Sequence, residues 1–359
     1  MNGPIGTRSG SPAHRLPSGI EVREHAVDST TPDEVEIKDS VDLASAEKNL
    51  MTVGVASSAQ MRFVWAMLHY MKPGRLLVLL LALPFPWIPA VAKGDYPPKI
   101  PDAEVMPFKT IGDVTLNLYV FKPKGWKASD KRPAAVFFFG GGWNHGSPEH
   151  FVPQCRALRS RGMVTVAADY RVASRNRTRG RDCVEDARDA MRWVRSHAGK
   201  LGVDPKRIAS GGGSAGGHIA ACLGTIRPGS GEKVSSMANA MLLFNPVCVL
   251  APIDGYNGWP KGFASMPRRM GLDDPIVLSP AHHVDKSSAP CIIFHGKDDV
   301  SVPYATADLF ARKMKAAGIR CQLVGFEDAG HGFYNYGRGQ SQTLAQMDAF
   351  LVRLGWLKP

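Results

Sequence analysis

Residues 207–223 read Arg-Ile-Ala-Ser-Gly-Gly-Gly-Ser-Ala-Gly-Gly-His-Ile-Ala-Ala-Cys-Leu. Arg207–Ser210 has the character of a short strand, and Gly217–Leu223 that of an apolar helix start. Between them, Gly212-Gly213-Ser214-Ala215-Gly216 fits G-x-S-x-G, the sharp strand-to-helix turn that lifts a serine hydroxyl above a sheet. Such a turn leaves no room for side chains beside the serine, which accounts for the flanking glycines. The spacing predicts Ser214 as a nucleophile, with the first helical amides aimed where negative charge would form on a substrate oxygen.

A serine hydroxyl needs a base, and the base needs a carboxylate to hold it. Two downstream segments supply them in the order Ser, Asp, His. Asp299 follows an apolar strand in His295-Gly296-Lys297-Asp298-Asp299, at the carboxyl edge of the expected sheet. Asp298 is its neighbour and competitor. His331 lies in Asp328-Ala329-Gly330-His331-Gly332-Phe333, where Asp328 is expected to brace the loop. An oxyanion hole is expected after the run Phe137-Phe138-Phe139-Gly140-Gly141-Gly142-Trp143. The amides of Gly141 and Gly142, with that of Ala215, are its predicted donors, each worth about 3 kcal/mol in the transition state.

Around these motifs the pattern alternates strand and helix. Val114–Val120 alternates as an edge strand and Ala134–Phe139 is a continuous apolar run typical of a buried parallel strand, with further strands expected at Val164–Asp169, 239–246, Cys291–His295 and Gln322–Phe326. Helices are expected at 182–199, with Val184, Ala187, Met191 and Val194 on one face, at 304–317 and near 341–354. Residues 248–288 read as irregular, too short for a large lid and suited to a short cap at the substrate rim. The expected class is α/β, with a mostly parallel central sheet covered by helices on both faces.

Taken together, the Phe-Phe-Phe-Gly-Gly-Gly-Trp run, Asp169-Tyr170-Arg171, the Ser214 turn, His-Gly-x-x-Asp and Gly-His-Gly-Phe resemble α/β-hydrolase serine esterases. The closer likeness is to the hormone-sensitive-lipase and feruloyl/acetyl-esterase branches, over roughly residues 105–357. The resemblance implies carboxylic-ester hydrolysis through an acyl-enzyme on short acyl esters, acetylated carbohydrate among them, with no cofactor. The family motif usually begins His-Gly-Gly-Gly, its histidine supporting the loop without donating to the oxyanion. Phe139 stands in that place, so the seating of the loop rests on a different side chain.

Two rivals share parts of this pattern. A serine peptidase of the prolyl-oligopeptidase type has the same triad order, but normally carries a large additional domain that residues 1–92 cannot build. A non-catalytic binding protein on this fold would tolerate loss of a triad member, and all three are present. Trp143, Tyr256, Trp259, Phe333 and Tyr334 are candidates to line an acyl or sugar pocket, Trp143 and Phe333 foremost. His218, His282, His283 and His295 are expected to be structural, since no spacing brings three metal ligands together.

Charge divides the chain. Residues 1–60 carry 5 Lys and Arg against 9 Asp and Glu, and residues 93–359 carry 36 against 23. No nucleic-acid-binding module accompanies the basic excess, so nucleic acid is not an expected partner. The densest basic stretch, Arg171, Arg175, Arg177, Arg179 and Arg181, is expected to be a solvated loop, with an anion site as the rival reading. Six cysteines lack C-x-x-C or zinc spacing, and Cys222, Cys248, Cys291 and Cys321 fall in or beside expected core elements. Export would permit one or two disulfides.

Residues 1–60 have no apolar period and read as a disordered or mis-assigned extension. Over 61–92 comes a basic stretch (Met71-Lys72-Pro73-Gly74-Arg75), an apolar run from Leu76, and Pro89-Ala90-Val91-Ala92-Lys93. That is the pattern of a secretory signal peptide, which implies a start at Met61, Met67 or Met71 and a secreted or periplasmic product. The rival is an N-terminal membrane anchor, which Pro84, Pro86 and Pro89 disfavour. The expected catalytic domain is 93–359, and membrane contact is expected only through an uncleaved signal segment.

Overall fold

The computed structural model describes residues 96–359. The expectations for an extension over 1–60 and a signal peptide or anchor over 61–92 lie outside the described residues. No described helix is long and apolar enough to cross a membrane.

Eight strands form one sheet in the order β1-β2-β4-β3-β5-β6-β7-β8. The first two, β1 (Glu104–Ile111) and β2 (Val114–Phe121), pair antiparallel, and β2 joins β4 (Val164–Ala168) antiparallel. The others, β3 (Arg132–Phe138), β5 (Val203–Gly213), β6 (Ala240–Phe244), β7 (Cys291–Gly296) and β8 (Cys321–Phe326), continue parallel from β4. The 114–120 strand is therefore not an edge. Its Leu118 and Val120 enter the core on one face and Tyr119 and Phe121 on the other, while β1, half exposed with Pro107 at a register shift, carries the edge.

Helices cover both faces. The strand alternation of β3 sends Val136 and Phe138 to one side and Phe137 to the other. The Phe137 side packs against α1 (Val152–Ser160), among the other elements on that face. The opposite side receives α2 (Gly180–Ser196), whose Val184, Ala187, Met191 and Val194 are all fully buried, and α3 (Ala215–Thr225). Within the stretch expected to be irregular lies α4 (Pro260–Met270). Pro267 and Gly262 argue against a helix locally, but burial of Phe263, Met266 and Met270 overrides propensity. Next come α5 (Tyr304–Ala316), on the α2 and α3 side, and α6 (Gly337–Arg353), beside α1.

The basic segment after β4 is not simply solvated. Arg171 makes a forked pair with the fully buried Asp186 carboxylate at 2.8 and 2.9 Å, and Lys109 joins the same carboxylate at 2.7 Å. Arg175 donates to the Gly146 carbonyl at 2.7 Å. All six cysteines are buried and unbridged: Cys222, Cys291 and Cys321 lie in α3, β7 and β8, Cys248 lies just past β6, and Cys155 and Cys183 lie on α1 and α2.

Candidate active site

At the carboxyl edge of the parallel strands, three loops meet. β5 runs directly into α3 through Ser214, whose φ of 56° and ψ of −119° lie in a region that costs about 1–3 kcal/mol for a residue with a side chain. Close packing enforces the turn: a Cβ on Gly216 would stand 2.1 Å from the Phe138 carbonyl oxygen. Glycine there lets α3 start against the end of β3.

The β7 and β8 loops bring the partners to Ser214. The Ser214 hydroxyl lies 2.9 Å from His331 Nε2, and His331 Nδ1 lies 2.7 Å from Asp299 Oδ2. The direction consistent with both contacts has Nδ1–H donating to Asp299 and Nε2 accepting from Ser214. Asp299 Oδ1 accepts the amides of Ser301 and Val302 at 2.9 and 2.8 Å. Burial alone would push its pKa up, but hydrogen bonds from His295, His331 and the Val302 amide outweigh this and hold the carboxyl well below the usual range. Asp298 is exposed, as is Asp328, which occupies a left-handed turn at φ 50°.

Two residues around Asp299 were not singled out for the site. Asn245, fully buried just past β6, donates to Asp299 Oδ2 at 2.9 Å and accepts the Gly332 amide at 3.4 Å, tying the aspartate to the histidine loop. Its place at a strand's carboxyl end was the available signal. His295 Nε2 donates to the Val302 carbonyl at 2.9 Å and stands 3.4 Å from Asp299 Oδ2, so its structural expectation extends to the aspartate.

The glycine loop after β3 faces the same cleft. Gly141 has φ 119°, and a Cβ there would fall 2.2 Å from the His145 carbonyl oxygen. The Gly141 carbonyl accepts the amides of Asn144 and His145, and the Trp143 and Asn144 carbonyls accept those of Ala173 and Ser174. Among the described residues, no hydrogen bond is made by the amides of Gly141, Gly142 or Ala215. Gly141 and Gly142 line the cleft, whereas Ala215 is fully buried beside Ser214. Phe139, in the place of the usual histidine, stacks on Tyr170 with ring centroids 3.9 Å apart. The loop therefore has an apolar anchor at its base.

The cleft holds about 780 Å³ and is bordered by Asn144, His145, Glu149, His150, Arg269, Ser301, Tyr334 and Asn335 as well as Ser214 and His331. Of the five aromatic candidates only Tyr334 borders it. Trp143 is 2% exposed, its indole N–H donating to His218 Nδ1 at 3.2 Å, and His218 in turn bonds the Leu278 carbonyl at 2.7 Å. Phe333 is buried against Phe326, and Tyr256 and Trp259 pack on Phe263. Aromatics beside a glycine motif are as readily folded inward as outward, and here Trp143 and Phe333 fill the core. Burial pushes His218 down to about 4, in keeping with a neutral structural ring.

A family model for the alpha/beta hydrolase fold matches residues 135–335. A carboxylesterase of Mycobacterium tuberculosis is 37% identical over 223 residues, 58% of this chain and 68% of that protein. A probable isoprenylcysteine alpha-carbonyl methylesterase of Arabidopsis thaliana is 30% identical over 237 residues, 60% of this chain and 48% of that one. This chain spans about half the length of the first curated relatives it matches. Among solved structures, a thermophilic esterase of Thermogutta terrifontis is 48% identical in both a butyrate-bound and a sarin-phosphonylated form. The TM-scores are 0.69 and 0.71, over 74% of this chain and 99% of that chain.

Proposed function

Because the chain belongs to the α/β-hydrolase fold family, we propose that it is a serine carboxylic ester hydrolase acting through an acyl-enzyme on short-chain acyl esters. The observation that carries this reading is the continuous relay from Asp299 through His331 to the Ser214 hydroxyl, at 2.7 and 2.9 Å, opening on one cleft.

In this mechanism Ser214 Oγ attacks the acyl carbon while His331 Nε2 takes its proton. The carbonyl electron pair moves onto oxygen, where the free amides of Gly141, Gly142 and Ala215 stabilise it. Asp299 keeps the imidazole in the productive tautomer and offsets its positive charge. Collapse breaks the bond to the alcohol, which leaves with the proton from His331. Water, deprotonated by the same imidazole, then attacks the acyl carbon, and Ser214 recovers its proton as the acid departs.

Short acyl chains are supported by the related esterase determined with propionate and with butyrate bound. A nucleophilic site is supported by its phosphonylation by sarin and phosphorylation by paraoxon. The polar rim of Asn144, Glu149 and Asn335 suits an alcohol rich in hydroxyls, such as an acetylated sugar. The test is hydrolysis of p-nitrophenyl acetate, butyrate and octanoate by residues 93–359, beside Ser214→Ala. Turnover of the shorter esters that disappears in the variant is expected; a folded protein inert to all three overturns the reading. Acetylated xylan then tests the sugar. The leader pattern over 71–92 supports export, and a secreted product whose first residue lies near Lys93 is the expected result of N-terminal sequencing.

A further inference from the structure

A second cavity, of about 440 Å³, lies beside the cleft and shares Gly142, Asn144 and Arg269 with it. Its walls carry three arginines, Arg179, Arg268 and Arg269, and no carboxylate. None of the three pairs with a carboxylate among the described residues, in contrast to Arg171, which is committed to Asp186. Arg269 lies over the buried Trp143 indole, 4.9 Å from the ring centroid, and its only other polar contact described is a long one of 3.4 Å to the Gly142 carbonyl. All three are exposed, so solvent screens their mutual repulsion, and they present to the cavity guanidinium donors that no described carboxylate has claimed.

An independent feature points the same way. Thr178 also lines this cavity, is 7% exposed, and its Oγ1 has no hydrogen-bond partner. Buried hydroxyls are almost always satisfied, and one that is not marks a place where a ligand group can bond. We propose that this cavity is an anion subsite, taking a carboxylate carried by the substrate at a distance from the ester carbonyl held over Ser214. Guanidinium forks match carboxylate geometry, and the unpaired Thr178 hydroxyl supplies one further donor. The inference rests on the ester-hydrolase reading of the adjoining cleft and gives that site a preference for anionic over neutral esters.

The test pairs anionic and neutral esters of similar size. These are mono-p-nitrophenyl succinate against p-nitrophenyl butyrate for charge on the acyl side, and 4-acetoxybenzoate against phenyl acetate for charge on the alcohol side. One anionic ester is expected to exceed its neutral partner in kcat/KM by about tenfold, the scale of one charge-assisted hydrogen bond. The Arg179→Gln/Arg268→Gln variant should erase that preference and leave the neutral esters within about twofold. Calorimetric titration of Ser214→Ala with succinate reads the subsite without turnover. Succinate binding that is lost on Thr178→Val combined with the two arginine changes sustains the subsite even if no ester is hydrolysed. Turnover of neutral esters with no anionic preference in either pair, and no succinate binding, overturns the inference while leaving the hydrolase reading intact.

Discussion

Phe139 and Tyr170 lie nearly parallel, 13° apart with centroids at 3.9 Å, and the Tyr170 hydroxyl donates to the Phe139 carbonyl at 2.6 Å. The pair closes the base of the glycine loop from two sides, by stacking and by a hydrogen bond to the residue where the loop begins. Gly146, on the far side of the loop, has room for no Cβ because the Phe139 ring would be 2.4 Å away. An apolar ring thus fills the role that the resemblance assigns to a histidine.

Phe139→Ala removes that ring from a site only 1% exposed. Large-to-small changes of this kind cost about 3–5 kcal/mol. A lowered Tm and a fall in kcat on p-nitrophenyl acetate are expected together, since the loop loses its seat. Tyr170→Phe keeps the stack but leaves the Phe139 carbonyl without its donor, and should cost less, about 1–3 kcal/mol.

Asp299→Asn preserves shape but favours the wrong imidazole tautomer. The expected fall in kcat is about 10⁴-fold, with the fold retained by circular dichroism. Asp298→Asn, at an exposed neighbour, should leave kcat within about twofold. If the two variants behaved alike, the orientation role assigned to Asp299 would be wrong.

Burial pushes Asp169 up to about 6, against the lowering influence of Tyr96 and Arg175. A carboxyl whose folded-state value lies above its unfolded one binds more protons when folded between the two. Stability contributed by this group is therefore present below about pH 4 and lost as pH rises through about 6. The loss is at most about 3 kcal/mol. Urea midpoints at pH 4.5 and pH 7.5 should diverge more for the wild type than for Asp169→Asn, which cannot titrate. Equal pH slopes for both proteins would contradict the assignment.

Asp186 is fully buried and receives both Arg171 and Lys109. Removing one partner of such a network strands the others, and Asp186→Ala should cost about 3–5 kcal/mol in a urea titration. Asp186→Asn, which keeps acceptor geometry, should cost less. A negligible change in both would mean that Arg171 and Lys109 find solvent instead.

β3, β4, β6 and β7 are legible in the chain because each is a buried, mostly apolar run, whereas β5 and β8 carry polar or partly exposed positions and stand out mainly by the motifs that follow them. Ser214, Asp299 and His331, which the fold brings together, are legible because each lies in the turn or loop that follows the carboxyl end of a strand. Trp143 and Phe333 could not be oriented, since sequence position beside a motif says nothing of which way a ring turns. β1 escaped notice because its Pro107 and half-exposed pattern resemble a loop, and only pairing with β2 makes it a strand. α4 was hidden by Gly262 and Pro267, and with it Arg269, whose approach to Gly142 depends on tertiary contact. The partners of Arg171 and Arg175 were equally invisible, because ion pairing across the fold leaves no local spacing.

The central claim, that Ser214 is a nucleophile driven by His331, is tested most directly by paraoxon labelling followed by peptide mass mapping. One diethylphosphoryl adduct per chain, on the peptide containing Ser214, is predicted, with esterase activity falling in step and Ser214→Ala left unlabelled. A folded protein that takes up no label, or takes it elsewhere while activity persists, would contradict the account.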